Sequence, residues 1–214
     1  MGRAVAAACA QDSSLTIAAR VEQGDPIAPA IEACDVVIEF SAAEATAAVC
    51  AACAGHRKPL VLGTTGQSAA EQDSVAAAAR VVPIVFAANF SVGVNALFAL
   101  TRKAAQLLGE EFDLDVIEMH HRMKKDAPSG TAKRLLEVLQ EVRGGGSGPI
   151  PAQSVRAGEI VGEHTVIFAG AGERLELTHR AASRATFALG ALRAARWALQ
   201  QPAGLYNMEN ALGL

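Results

Sequence analysis

No stretch of the 214 residues approaches the roughly twenty consecutive apolar positions that a helix needs to cross a bilayer. Nor does the chain open with a basic segment followed by the apolar core of an export signal. These absences predict a cytoplasmic protein with no membrane partner. An excess of charge of one sign is missing too. Nineteen Lys and Arg stand against 22 Asp and Glu, a net charge of −3, so no global field draws the chain to nucleic acid. Cysteine is scarce, with only Cys9, Cys34, Cys50 and Cys53. Cys50 and Cys53 spell C-A-A-C, a spacing that serves redox chemistry or zinc, but no second pair joins them. They fall in an alanine-rich helical stretch, Ala43 to Ala54, where three-residue spacing puts both thiols on one face. Buried thiols behaving as small hydrophobes are the favoured account. An H-E-x-x-H signature is also lacking, and His120-His121 has no carboxylate at ligand spacing, so no metal is expected.

What the chain does have is the run Glu118 to Ala132, EMHHRMKKDAPSGTA. It gathers two histidines, two lysines and an arginine ahead of an Asp-Ala-Pro turn and a Ser-Gly-Thr step. Residues 111 to 121 alternate apolar and polar positions and predict a strand with one face buried. Neighbouring side chains on a strand point to opposite faces, so His120 and His121 share a ligand only if the strand ends there. Pro128 fixes its own φ and turns Ala127 away from helix. Ser129 is a good N-cap, and Ala132, Leu135, Leu136, Leu139 and Val142 recur at helical spacing, predicting an amphipathic helix over 130–143. The N–H groups of Gly130 and Thr131 then lie at its positive end, suited to a carboxylate or phosphate. A solvated basic loop is the plainer account. A histidine that titrates near neutrality, beside lysines and a helix start, favours a site for a small dianion that must also receive a proton.

Elsewhere the chain alternates strand and helix. Strands are predicted at Leu15 to Val21, Asp35 to Phe40, Pro59 to Leu62 and Pro83 to Ala87. Helices are predicted from Ala42, from Ala69 to Arg80 and from Val92 to Leu108. This alternation implies a parallel sheet wrapped by helices, which binds ligands beyond the carboxyl ends of its strands. The Gly63–Gly66 turn and the Ala87–Phe90 segment lie at two such ends. After residue 110 the pattern changes to strands near 112–119, 152–158, 163–169 and 173–179, an α+β unit with a mixed or antiparallel sheet. Gly144 to Pro149 reads as a mobile surface loop, and Thr186 to Gln200 as a closing helix.

The segment HHRMKKDAPSGTA resembles the signature of the dihydrodipicolinate reductases, nicotinamide-dependent enzymes of the diaminopimelate–lysine pathway. The resemblance extends to VLGTTG (61–66), VFAANFSVGVN (85–95), RAGEIVGEHT (156–165) and SRATF (183–187), in the family's order. It implies an α/β chain with a Rossmann-like nucleotide domain (residues 1–90 and 185–214) and an α+β substrate-binding and oligomerisation domain with a mixed sheet (residues 91–184), hinged near Phe90 and Arg184. It implies reduction of 4-hydroxy-tetrahydrodipicolinate by NADH or NADPH, in a homotetramer. By resemblance His120 is the general acid and Lys124 its partner, while His121, Gly130, Thr131 and Arg184 bind substrate. Gly63, Thr64, Thr65, Ala87, Ala88, Asn89 and Phe90 contact the cofactor, and Glu22 binds its ribose. Arg122, Lys125 and Asp126 shape the loop.

The chain departs from the family at its start. A strand and a G-x-x-G-x-x-G turn are expected there, yet only Gly2 of the glycine set is present, and the segment after Gln23 is short. The competing expectation is therefore a cofactor-deficient homologue that binds a dicarboxylate without turnover. A related nicotinamide enzyme acting on another dicarboxylate or amino acid fits the HHRxK and APSGT pairing less well.

Overall fold

Leu60-Val61-Leu62 and Pro83-Ile84-Val85-Phe86 carry no polar side chain to turn toward water, so a sheet built from them must be covered on both faces. The computed structural model, which describes residues 1–144 and 148–214, shows this arrangement. The chain divides into two compact units, Met1–Val92 with Ala185–Leu214, and Gly93–Arg184.

In the first unit, β1 (Val37–Glu39), β2 (Leu60–Leu62), β3 (Pro83–Phe86) and β8 (Gly204–Tyr206) form a wholly parallel sheet in the order β1-β2-β3-β8. Leu60, Leu62 and Ile84 pack under α2 (Ile27–Glu32), α3 (Thr46–His56) and α4 (Ala69–Ala79), together with Cys50 and Cys53. Burial pushes the Cys53 thiol up to about 12, with the neighbouring thiols adding to it, so both cysteines are neutral core residues. Ser68 and Glu71 close a reciprocal capping box at the start of α4. On the other face, Val61 and Val85 meet Ala191, Ala194, Ala195 and Ala198 of α7 (Ala185–Ala198) and Met208 of α8 (Met208–Leu212). Each fully buried Val, Leu or Ile here contributes about 1.5–3 kcal/mol. Small side chains let α7 ride close to the sheet. At Gly190 even a methyl group is excluded, because a Cβ would lie 1.7 Å from the carbonyl oxygen of Phe90. The helix α1 (Gly2–Cys9) packs on α7.

The predicted strand at Leu15 to Val21 does not form. Those residues join no ladder, and Ile17 and Val21 are exposed. A strand exists only by pairing, and β1, at the margin of the sheet, is bonded to β2 on its other side. The short strand β8 and the helices α1, α2 and α8 carry too few periodic residues to be read from sequence.

In the second unit, β4 (Asp113–His120), β5 (Ala152–Arg156), β6 (Gly162–Gly170) and β7 (Glu173–Ala181) form a mixed sheet in the order β5-β4-β6-β7. The pair β4–β5 is parallel, and β4–β6 and β6–β7 are antiparallel. One face buries Leu114, Val116, Val166 and Phe168 against Leu97 and Phe98 of α5 (Val92–Leu108) and Leu135, Val138 and Leu139 of α6 (Gly130–Arg143). On the opposite face Ile117, Met119 and Ile167 are half-buried and Val155 is exposed. Of the predicted Gly144–Pro149 loop, residues 145–147 lie outside the described residues. No helix among the described residues is long and apolar enough to cross a membrane.

Candidate active site

Strand alternation places Glu118 and His120 on the same, inward face of β4, and the strand ends at His120. The Glu118 carboxylate is fully buried. Its oxygens accept from Arg156 Nη1 at 2.9 Å and Nη2 at 2.6 Å, and from the Ser129 N–H at 3.3 Å. The fourth partner is His120 Nδ1. Arg156 stands directly beside His120 in the β4–β5 ladder. Burial raises the Glu118 carboxyl, but hydrogen bonds from Arg156, Ser154 and His120 prevail and hold it at about 2. An ionised carboxylate only accepts, which assigns the Nδ1 proton to His120 and leaves Nε2 for chemistry. A Cβ at position 162 would lie 3.1 Å from that Nε2, so a side chain on β6 there would crowd it. Burial holds His120 below its ordinary value. Glu118 opposes this, while Lys124 and Arg156 reinforce it.

His164 on β6 faces Glu118 across the ladder and sets its ring edge-on to His120, centroids 5.2 Å apart. Its Nε2 is 3.1 Å from Ser129 Oγ, and its Nδ1 is buried without a hydrogen bond. Burial, then the neighbouring His120, drive it down to about 4, so it is neutral at neutral pH. Ser129 caps α6 by accepting from the Ala132 N–H, as its sequence position predicts. One buried carboxylate thus ties together the end of β4, the start of α6 and β5.

Donor atoms of Glu118, His120 and His164 all lie within 4.8 Å of one another. The expectation that His120-His121 has no carboxylate at ligand spacing is therefore corrected for His120: two residues along a strand return to the same face, and that places Glu118 beside it. The carboxylate is nevertheless already committed to Arg156, whose positive charge repels a cation. The arrangement is a buried hydrogen-bonded network.

The loop after β4 folds back on itself. The Lys124 N–H donates to the His121 carbonyl, and Lys124 Nζ lies 2.9 Å from Asp126 Oδ1. The hydrogen bond from Lys124 holds the exposed Asp126 carboxyl below its usual range. The Asp126 carbonyl accepts from Arg156 Nη2 at 2.6 Å, fastening the loop to β5. His121 and Thr131 are half-buried and Gly130 is exposed at the first turn of α6. Arg184 is exposed in the connection between β7 and α7, outside this network. The structure thus ties His120 through Glu118 to the capped start of α6, with Lys124 in the loop between them. Sequence reasoning missed Glu118, Arg156 and His164; the i, i+2 spacing of Glu118 and His120 was the available signal.

The nucleotide candidates belong to the other unit. Gly63, Thr64 and Thr65 follow β2, and Ala87, Ala88, Asn89 and Phe90 follow β3, at the carboxyl ends of adjacent parallel strands. A Cβ at Gly63 would lie 2.0 Å from the Phe40 ring, which stacks edge-on with Phe90 at 5.4 Å. Glu39 Oε1 accepts from Thr64 Oγ1 at 2.9 Å and from the Ser41 N–H at 2.6 Å. Its Oε2 is buried and makes no hydrogen bond. A buried acceptor at the mouth of a parallel sheet fits the amide and hydroxyl donors of a nicotinamide nucleotide. Glu22 lies in an exposed turn, its N–H donating to Asp25 Oδ2 at 2.9 Å. It is not at a strand end, because the preceding strand does not form.

Models of known families match almost the whole chain: the N-terminus of dihydrodipicolinate reductase over residues 1–90 and its C-terminus over residues 93–212. The chain belongs to the dihydrodipicolinate reductase family. A 4-hydroxy-tetrahydrodipicolinate reductase of Akkermansia muciniphila is 49% identical over 231 aligned positions, spanning 100% of this chain and 94% of that protein. One of Halorhodospira halophila is 48% identical over 89% of this chain and 78% of that protein. A solved dipicolinate-bound dihydrodipicolinate reductase from Paenisporosarcina sp. TG-14 superposes with a TM-score of 0.71 at 26% identity, covering 82% of this chain and 73% of that one. The α/β architecture expected from sequence, one parallel and one mixed sheet, is the one a dihydrodipicolinate reductase displays.

Proposed function

We propose that this chain catalyses the NAD(P)H-dependent reduction of 4-hydroxy-tetrahydrodipicolinate in lysine biosynthesis through diaminopimelate, in the cytoplasm. The observation that carries this reading is the His120 imidazole, oriented by Glu118 and set beside Lys124 and the capped start of α6. Residues 1–90 and 185–214 bind the dinucleotide, and residues 91–184 bind the substrate.

A reduced nicotinamide supplies the hydride when bound, with either NADH or NADPH serving. Gly63, Thr64, Thr65 and Ala87 to Phe90 hold it, and Glu22 takes a ribose hydroxyl. His120 Nε2–H then gives a proton to the electron-rich enamine left by reduction, a step in which a positioned imidazole contributes about 10²–10⁴-fold. Lys124 stabilises the anionic substrate and partners the proton transfer. The N–H groups of Gly130 and Thr131 and the Thr131 hydroxyl hold one carboxylate at the positive end of α6. His121 contacts the ring, and Arg184 pairs with the second carboxylate. Self-association into a tetramer uses the half-buried face of the mixed sheet, with Ile117, Met119, Val155 and Ile167 at its centre.

The test follows NADH and NADPH oxidation by wild type and His120→Gln. Turnover should fall by about 10²–10⁴-fold in the variant while cofactor binding, read by nucleotide fluorescence, is unchanged. Equal turnover would remove His120 from its role. Substrate binding with no cofactor binding in wild type would establish the cofactor-deficient alternative.

A further inference from the structure

We infer that Glu118, clamped by Arg156, is a positioning residue of this site: it fixes the His120 ring so that Nε2 is the proton-delivering atom, with no side chain from Gly162 pressing on that atom. The inference rests on the reductase reading and concerns a residue that touches neither substrate nor cofactor.

The geometry separates this from a simple structural ion pair. A guanidinium fork alone would satisfy both oxygens of a buried carboxylate. Here the oxygens are shared: Oε2 also takes His120 Nδ1, and Oε1 also takes the Ser129 N–H that opens α6. One anion therefore sets the rotation of the imidazole and the position of the helix end proposed to hold the substrate carboxylate. A donor locked on one ring nitrogen dictates what the other does.

Charge balance gives the carboxylate a second effect. His120 is surrounded by Arg156 from β5, by the neutral His164 from β6 with His179 of β7 behind it, and by Lys124 from the loop, itself paired with Asp126. The cations and the burial all weaken proton binding by the ring. Glu118, on its own strand, opposes them. Without that negative charge His120 would carry its proton at neutral pH far less often. The backbone on the far side of Nε2 belongs to Gly162, and any side chain there would press on the atom that must reach the substrate.

The test compares wild type with Glu118→Gln, which keeps shape and a hydrogen-bond acceptor but removes charge. Nitrogen-resolved NMR of the histidine side chains, recorded without substrate or cofactor, should show the His120 protonation midpoint lowered by about one to two pH units. The pH profile of kcat should move the same way, with about tenfold lower turnover at neutral pH and little change in KM. A midpoint, tautomer and pH profile all unmoved would overturn the inference. The NMR reading needs no turnover, so an inactive wild type with the expected NMR shift sinks the reductase reading alone. An active wild type with an unmoved midpoint sinks this inference alone. Should Glu118→Gln fail to fold, Arg156→Lys carries the test. It retains the charge but loses the fork, and should loosen the His120 tautomer and lower kcat; a ring and rate like wild type would refute the clamp.

Discussion

Replacing His164 by glutamine should flatten the acid side of this protein's stability profile, and the size of the effect follows from burial. His164 is 4% exposed, and burial together with His120 lowers it from an ordinary 6.5 to about 4. The unfolded chain takes up a proton as pH falls through 6.5, whereas the folded chain resists until about 4. Between those values the unfolded state binds more protons, so stability drops with falling pH. The gap corresponds to about 3 kcal/mol, fully lost by about pH 4. That is a large part of the 5–15 kcal/mol typical of a folded domain. Glu118 then continues the decline. Its folded value is depressed from 4.5 to about 2, so its contribution is present above 4.5 and is lost as pH falls toward 2, again by about 3 kcal/mol. His120 and His179 are lowered as well and act in the upper window with the same sign. The variant should therefore lose much of the slope between pH 6.5 and 4 and keep the later, carboxylate step. Urea unfolding at a series of pH values measures both. Parallel stability–pH curves for wild type and His164→Gln would refute the reasoning.

Two further perturbations follow from the packing. Gly190→Ala forces a methyl group to within 1.7 Å of the Phe90 carbonyl oxygen, where only backbone can yield; thermal melts should show a loss of about 1–3 kcal/mol or more, and NADH affinity should weaken as the segment after β3 shifts. Unchanged melting would show that α7 does not press on Phe90. Ser129→Ala removes the α6 cap, about 1 kcal/mol, and leaves His164 without its hydrogen bond, about 1–3 kcal/mol. Urea midpoints should report roughly 2–4 kcal/mol in total, and a loss below about 0.5 kcal/mol would mean the hydroxyl bears neither role.

The helices at 92–108 and 130–143 were legible because their apolar positions recur at helical spacing, and the cap at Ser129 because capping is a local matter. His120 and Lys124 were legible for a similar reason, being four residues apart, one at the end of β4 and one in the loop after it. What surrounds them was not. Arg156 reaches Glu118 from 38 residues away and His164 reaches Ser129 from 35, and only strand register brings them together. A buried carboxylate inside an alternating strand reads as a solvent-facing residue until its partner strands are known. Leu15 to Val21 failed in the opposite sense. The local pattern favours a strand, but residues 15–21 lie outside any helix or strand, because a pattern cannot supply a neighbour to pair with. Glu22, assigned by its distance along the chain, lost its strand-end setting with it.

The margin of the parallel sheet at β1 has a consequence for handling the protein. Val37, Ile38 and Glu39 give their ladder to β2 alone among the described residues, and the exposed Ile17 and Val21 belong to a stretch of the same unit outside any helix or strand. Main-chain donors and acceptors at a sheet boundary, together with bare aliphatic groups, are a template onto which foreign β-structure grows. That boundary, like the one at β8 on the far side of the same sheet, is where concentrated or warmed protein can pair with another chain.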